Sequence, residues 1–256
     1  MLSQCRSLTH LDLCDNDIEA AGAESLAGVL GQCPALAHLN LSRDVPGARN
    51  ASEDLSHNGI GADGAESLAG VLGQCASLAH LNLRQNRIGP AGAESLAGVL
   101  GHCASLSHLD LSLTQIGPDG AASLARVLGQ CRALTRLDLS CNQIESAGAE
   151  SLARVLGQCA ALTHLNLSSN DLRGAGAESL ARVLGQCAAL THLDLSNNHI
   201  GDPLDPLGAA GAESLARVLG QCTALAHLSL CGNGLRGADA ERLRSSWRGQ
   251  DSGLSL

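Results

Sequence analysis

Histidines recur at one fixed place in a repeated string, and an acidic, amide or hydroxyl residue follows each of them two positions later. The histidines are His10, His38, His80, His108, His164, His192 and His227, with Arg136 at that place in one unit. The residues two positions on are Asp12, Asn40, Asn82, Asp110, Asp138, Asn166, Asp194 and Ser229. Imidazoles and carboxylates bind metals, and imidazoles titrate near neutral pH. A metal site and a pH-sensitive surface are both conceivable, but we interpret the pattern as a solvated face copied with each repeat.

Other residues with chemical potential fit the repeat better than a reaction. Gly59, Gly61 and Gly64 match the G-x-G-x-x-G of dinucleotide sites, but Gly64 is also the regular repeat glycine. A P-loop needs lysine, and the chain has none. No nucleophile, base and oxyanion donor form a recognisable catalytic group. We therefore predict no enzyme activity, no cofactor and no metal.

A Cys-x2-Leu-x2-Leu-x-Leu string sets the elements that position these residues. It recurs mostly at intervals of 28 residues, and its cysteines are Cys5, Cys33, Cys75, Cys103, Cys131, Cys159, Cys187 and Cys222. Two longer intervals place insertions at about 43–56 and 202–208. A fixed period of this size predicts a stacked array in which no unit buries its apolar face alone. We interpret the cysteines as small buried residues and not as a disulfide framework.

The unit at residues 75–102 shows how one repeat folds. Alternation in His80–Leu83 predicts a short strand with both leucines on one face. Gly89 and Pro90 open a helix, since proline is tolerated in the first turn, and Gly101 is a candidate C-cap. Packed helices need about 8–10 Å and paired strands about 4.8 Å, so the stack must curve with its strands inside. The sequence predicts an α/β solenoid with strands on the concave face and helices on the convex face.

Composition limits the partners. The chain has 16 basic and 25 acidic residues and a formal charge of −9, which argues against nucleic acid or an anionic membrane as the main partner. No apolar run reaches the roughly 20 residues that span a bilayer, and the first residues resemble a repeat and not a signal peptide. We expect a cytoplasmic monomer. The absence of Phe and Tyr removes the usual interface anchors.

The repeat resembles the ribonuclease-inhibitor-like subclass of leucine-rich repeats over about residues 2–247. That resemblance implies a domain at 1–247 of eight units, the N-terminal one incomplete, followed by a tail at 248–256. It also implies a buried side-chain ladder in the turns. The ladder positions are Asn16, Asn58, Asn86, Asn142, Asn170, Asn198 and Asn233. Thr114 takes the place in the fourth unit, where we expect a looser turn.

The same resemblance extends to the repeat regions of NOD-like receptors and of ribonuclease inhibitor, which bind proteins and are not enzymes. It implies a non-catalytic module that binds an unidentified protein through the concave face. One alternative is a GTPase regulator of the Ran GTPase-activating-protein type, which uses the same repeat subclass. A second alternative is a gene fragment without independent function.

Departures from the repeat mark candidate contact residues. Units three to five differ most from the consensus, and departures from a copied background mark where selection for one partner can act. The predicted partner-binding residues are Arg84, Arg87, Asp110, Leu113, Arg136 and Asp138.

Overall fold

The strands form one parallel sheet in sequence order, which confirms the predicted fold class. The computed structural model describes residues 6–43 and 58–256, and within them the sheet has nine strands. The strands are β1 (His10–Asp12), β2 (His38–Asn40), β3 (His80–Asn82), β4 (His108–Asp110), β5 (Arg136–Asp138), β6 (His164–Asn166), β7 (His192–Asp194), β8 (His227–Ser229) and β9 (Leu254–Ser255). From β1 to β8 they pair in strict repeat register, as His80 with His108 and Asn82 with Asp110. The copied residues therefore form straight columns.

One helix follows each of the first eight strands and packs against the helix of the next unit. The helices are α1 (Glu19–Leu30), α2 (Gly61–Leu72), α3 (Gly89–Leu100), α4 (Gly117–Leu128), α5 (Glu145–Leu156), α6 (Arg173–Leu184), α7 (Gly208–Leu219) and α8 (Gly237–Ser246). Because helices are wider than strands, this arrangement is a curved α/β solenoid with strands inside.

The core lies between the sheet and the helices. Strand residues such as Leu81, Leu109 and Leu137 are at most 3% exposed, and Leu96 of α3 faces them at 0%. Gly101 occupies the C-cap position of α3 with a right-handed φ of −62°, so it does not supply the left-handed turn typical of C-cap glycines. A Cβ there would lie 2.7 Å from Oε1 of Gln130, so an added side chain would require the flexible Gln130 amide to move.

A ladder of buried asparagines joins the turns between strands and helices. The Nδ2 atom of Asn142 donates to the carbonyls of Leu111 at 2.7 Å and Leu139 at 3.0 Å. Its Oδ1 atom accepts from the backbone N–H groups of Thr114 at 3.0 Å and Ile116 at 3.3 Å. Each such side chain thus ties its own unit to the preceding one. Equivalent side chains at most 1% exposed are those of Asn58, Asn86, Asn170, Asn198 and Asn233, whereas Asn16 at the first turn is exposed.

Of the two insertions, the structure describes only the second in full. Residues 44–57 of the first insertion lie outside the described residues. The second insertion packs against the start of α6, where Oδ2 of Asp205 accepts a hydrogen bond from Gly174 N at 2.8 Å. A Cβ on Gly174 would overlap the carbonyl of Leu207, so that glycine permits the close approach. Leu204 is 88% exposed at the tip of this loop.

The last residues add to the solenoid. Leu254 and Ser255 form β9, in register with Leu228 and Ser229 of β8. Trp247 and Leu256 pack against the core beside them. Residues 248–256, assigned to a tail from the sequence, therefore include a paired strand that extends the sheet.

Candidate functional site

A histidine column runs across the concave face of the sheet. We use that name for His10, His38, His80, His108, His164, His192 and His227, which occupy the first position of their strands. Neighbouring rings stack, with centroids 4.0–4.3 Å apart. Strand register alone brings them this close, because parallel strands are about 4.8 Å apart. Arg136 interrupts the column between His108 and His164, where its side chain is exposed.

Hydroxyl groups hold several of these rings in place. Nδ1 of His108 lies 2.8 Å from Oγ of Ser107. Thr163 holds His164 through an equal 2.8 Å contact, and Thr191 does the same for His192 at 2.8 Å. With Nδ1 engaged, Nε2 is the ring nitrogen that remains for a ligand on the concave side.

Four rings of the column have pKa values that are lowered, which favours their neutral form. Burial is the largest cause that lowers the pKa of His80, and the neighbouring His108 and His38 lower it further. Burial and the positive charge of Arg136 lower the pKa of His108. The pKa values of His164 and His192 are lowered by burial first and then by neighbouring cationic groups. At pH 7 these rings are therefore mainly uncharged.

An acid–amide row lies beside the histidine column, two residues further along each strand. It consists of Asp12, Asn40, Asn82, Asp110, Asp138, Asn166, Asp194 and Ser229. Oδ1 of Asp110 accepts from Ser112 N at 2.8 Å and Ser112 Oγ at 2.7 Å. Asp138 has the equivalent bonds to Ser140, at 2.9 and 2.6 Å. Burial, and then the charge of the adjacent Asp138, raise the pKa of Asp110.

The six predicted contact residues fall into two places. Arg84, Asp110, Arg136 and Asp138 lie on or at the end of the concave strands, and Nη1 of Arg84 donates to Oγ of Ser112 at 2.8 Å, next to Asp110. Arg87 lies in the turn before α3, with an exposed side chain and a φ of +50°. Leu113 also lies in a turn and is only 7% exposed, so it offers little surface to a partner.

A cavity of about 640 Å³ opens above the histidine column and the acid–amide row between β3 and β8. Its walls include His108, Asp110, Arg136 and Asp138. Sequence reasoning missed its far wall, which the C-terminal residues 252, 253 and 255 supply. The signal was available, because Leu254-Ser255-Leu256 repeats the Leu228-Ser229-Leu230 of β8.

The geometry within residues 6–43 and 58–256 limits the chemistry. No group of three or more His, Cys, Asp or Glu side chains in that part of the chain converges as a metal site. Burial raises the pKa of Cys75 and Cys131 to about 11, which suppresses the reactive thiolate. Among the same residues, no helix combines the length and apolar character needed to cross a bilayer. The arrangement suits recognition through charge and hydrogen bonds.

Comparison with known proteins agrees with the architecture. A leucine-rich-repeat family model matches residues 132–200, and another matches residues 4–27, 54–69, 74–97 and 102–125. No curated protein sequence matches the chain significantly.

The solved structure of leiomodin-1 actin-binding site 2 is 17% identical with a TM-score of 0.50, over 61% of this chain and 86% of that chain. The tropomodulin C-terminal domain of Caenorhabditis elegans is 15% identical with a TM-score of 0.51, over 60% of this chain and 90% of that chain. Such low identities show the fold alone, and together with the family matches they lead to one conclusion. The chain is a leucine-rich-repeat protein.

Proposed function

We propose that this chain is a non-catalytic protein-binding module whose partner docks on the concave face. The observation that carries the proposal is the pair of ordered polar columns around the 640 Å³ cavity. Register and hydroxyl contacts fix these side chains before a partner arrives, which lowers the entropy lost on binding. Their cavity-facing groups include the exposed guanidinium of Arg136.

The convex face offers a weaker case for docking. On three neighbouring helices, its arginines pair with glutamates of their own helix. The pairs are Arg154–Glu150 at 2.7 Å, Arg182–Glu178 at 2.7 Å and Arg217–Glu213 at 3.2 Å. These groups already satisfy each other, and exposed pairs of this kind add little free energy.

Within the concave face, we propose that contacts centre on Arg84, Asp110, Arg136 and Asp138. Arg87 then contributes at the rim, and Leu113 supports the turn from beneath. We further propose that the repeats are of the ribonuclease-inhibitor-like subclass, because each unit pairs one short strand with one full helix. The module then acts as a monomer in the cytoplasm, where a reducing environment suits its column of buried thiols.

Actin is the first partner to test. The leiomodin-1 domain that shares this fold is named as an actin-binding site. Co-sedimentation of the purified chain with actin filaments, and native electrophoresis with actin monomers, would report binding directly. A dissociation constant in the micromolar range or tighter would identify the partner class.

Photo-crosslinking tests the docking face itself. A photoreactive amino acid is placed at Asn82 or Asn166 on the concave side, and at Glu94 or Glu150 on the convex side as a control. We expect one partner to crosslink from both concave positions and from neither convex position. Crosslinking of the same partner from Glu94 and Glu150 alone would place the docking site on the helices and refute the proposal.

A further inference from the structure

The concave face has a net negative charge at neutral pH. Its charged and titratable groups, from β1 to β8, are His10, Asp12, His38, His80, Arg84, His108, Asp110, Arg136, Asp138, His164, His192, Asp194 and His227. Apart from the imidazoles, the four carboxylates outnumber the two guanidiniums. The whole chain has the same sign, with a formal charge of −9. The long-range field and the local face therefore both attract cations.

Two carboxylates concentrate that negative charge. Asp110 and Asp138 are direct neighbours in the strand register. Elsewhere in the row an amide lies next to the carboxylate, as where Nδ2 of Asn40 donates to Oδ1 of Asp12 at 3.1 Å. Asp138 is bonded on its far side, where Nδ2 of Asn166 donates to its Oδ2 at 2.9 Å. Oδ1 of Asp110 is occupied by Ser112, so Oδ2 of Asp110 remains for a ligand. Arg84 already opposes part of the repulsion, but the pKa of Asp110 stays raised by burial and by Asp138, so a further cation beside the pair would offset what remains.

The histidine column gives this face a means of changing sign. Stacking at 4.0–4.3 Å is compatible with neutral rings, whereas two imidazolium ions at that distance repel each other. Arg136 adds a permanent positive charge between His108 and His164, which further opposes their protonation. Below their lowered pKa values the rings take up protons, and three imidazoliums, which need not be stacked neighbours, are enough to turn the charge of −2 from four carboxylates and two guanidiniums positive.

We propose that the concave face docks a lysine- or arginine-rich segment of its partner at neutral pH and releases that segment in mild acid. The inference rests on the proposed concave docking and adds the chemistry of the partner and its regulation. Proton uptake and cation binding compete for the same surface, since the imidazoles share the concave face with the carboxylates that hold the basic segment, and His108 shares β4 with Asp110. Arg136, at the interruption of the column, opposes the basic segment at every pH.

The probe is a fluorescent octalysine peptide, with octaglutamate as its charge-reversed control. Fluorescence anisotropy is measured on the full chain at physiological salt, at pH 7.5 and 5.0, since the lowered pKa values require an acid arm well below 6.5. We expect octalysine to bind at pH 7.5 and its Kd to rise at least tenfold at pH 5.0. A Kd for octalysine that stays constant between the two pH values would overturn the release in acid.

Two matched double variants distinguish binding at the Asp110–Asp138 pair from attraction by the overall charge of the protein. Asp110→Asn with Asp138→Asn and Glu66→Gln with Glu94→Gln each remove two carboxylates, the first pair from the concave face and the second from exposed convex positions. The concave pair should weaken octalysine binding at least tenfold and the convex pair less than twofold. Asparagine already occupies the same place in β2, β3 and β6, so the concave variant should fold. Equal effects of both pairs would mean non-specific attraction and would refute the proposal.

Arg136→His gives a test with the opposite sign. It places in β5 the histidine that begins each of the other seven strands from β1 to β8, and it removes the permanent positive charge of the guanidinium. We expect it to tighten octalysine binding at pH 7.5 at least threefold and to steepen the pH dependence. Tighter binding of octaglutamate than of octalysine, lost in Arg136→His, would overturn the basic partner while leaving concave docking intact. Failure of concave docking itself would appear as crosslinks from the convex positions.

Discussion

Thr114 and Asn142 share a hydrogen bond of 3.0 Å between their side chains, at the one described ladder position that lacks asparagine. Thr114 is fully buried, so this turn is packed and the expected looseness does not appear as exposure. What changes is the bonding capacity. The ladder asparagines accept N–H groups from the preceding turn, whereas the described hydrogen bonds of the Thr114 side chain run only to Leu111 O and Asn142 Oδ1.

Thr114→Asn should therefore stabilise the protein. The new amide can accept from the backbone N–H groups of Asn86 and Ile88, as Asn142 accepts from Thr114 and Ile116. We expect a gain of about 1 kcal/mol in the free energy of unfolding, measured by urea denaturation. The reciprocal change Asn170→Thr should lower stability by about 1–3 kcal/mol, because it leaves buried backbone groups unpaired. A loss of stability in Thr114→Asn would contradict this account.

Two glycines of α3 should respond oppositely to alanine. A Cβ added at Gly98 would meet no neighbouring group within 4 Å, so Gly98→Ala should stabilise the helix by about 0.5–1 kcal/mol. A Cβ on Gly92 would lie 2.5 Å from Cγ2 of Ile88 and 3.2 Å from Cα of Ala62, a backbone atom. Gly92→Ala should therefore destabilise the protein by about 1–3 kcal/mol through overpacking. Chemical denaturation of both variants checks the opposite signs.

The stability of an Asp110→Asn variant should depend on pH. The pKa of Asp110 is raised in the folded protein, by burial and by Asp138, so its ionised form opposes folding above that pKa. We expect Asp110→Asn to gain about 0.5 kcal/mol at pH 7 after solvent screening, and to lose this advantage as the pH falls towards 4. Asp194→Asn is the control, because Asp194 has Asn166 and Ser229 as neighbours in the register and not a second carboxylate. A gain at pH 7 that persists at pH 4 would argue against charge repulsion.

Thiol labelling should separate the cysteines by burial. Burial raises the pKa of Cys75 and Cys131 to about 11, while Cys231 is exposed. With a disulfide-exchange reagent at pH 8, Cys231 should react at least a hundredfold faster than either buried thiol. Adding urea should bring all three rates together. Rapid labelling of Cys75 in the native protein would show that the structure around this buried thiol opens locally.

The first described unit should exchange its amide protons fastest. Leu11 and Leu13 are only partly buried, whereas their counterparts Leu109 and Leu111 are 3% and 0% exposed. Leu13 N–H donates to Asn40 O at 2.9 Å, and Leu111 N–H donates to Asp138 O at 3.0 Å, so the two bonds themselves are equivalent. We expect at least a hundredfold faster exchange at Leu13, measured by hydrogen exchange with mass spectrometry. Equal protection would show that the array opens as one cooperative unit.

The spacing of the repeat predicted most of the architecture. The predicted strand at His80–Leu83 is observed at His80–Asn82, and the helix predicted to open at Gly89 and Pro90 spans Gly89–Leu100. Copied units also place Asp110 beside Asp138, since register follows from the repeat. Strand β9 has only two residues, so its Leu-Ser-Leu match to β8 was too short to predict a strand by itself, although pairing with β8 suffices to hold it.

The sequence by itself determined the repeat, the order of strands and helices, and the residues that share the concave face, because a fixed period forces identical units into register. Only the tertiary structure decided how those residues behave. Packing left Leu113 only 7% exposed, burial and neighbouring rings lowered the pKa of His80, and hydroxyl contacts fixed the rings of His164 and His192. The reason is physical: spacing sets which residues are neighbours, whereas exposure, charge and orientation depend on every group that packs around them.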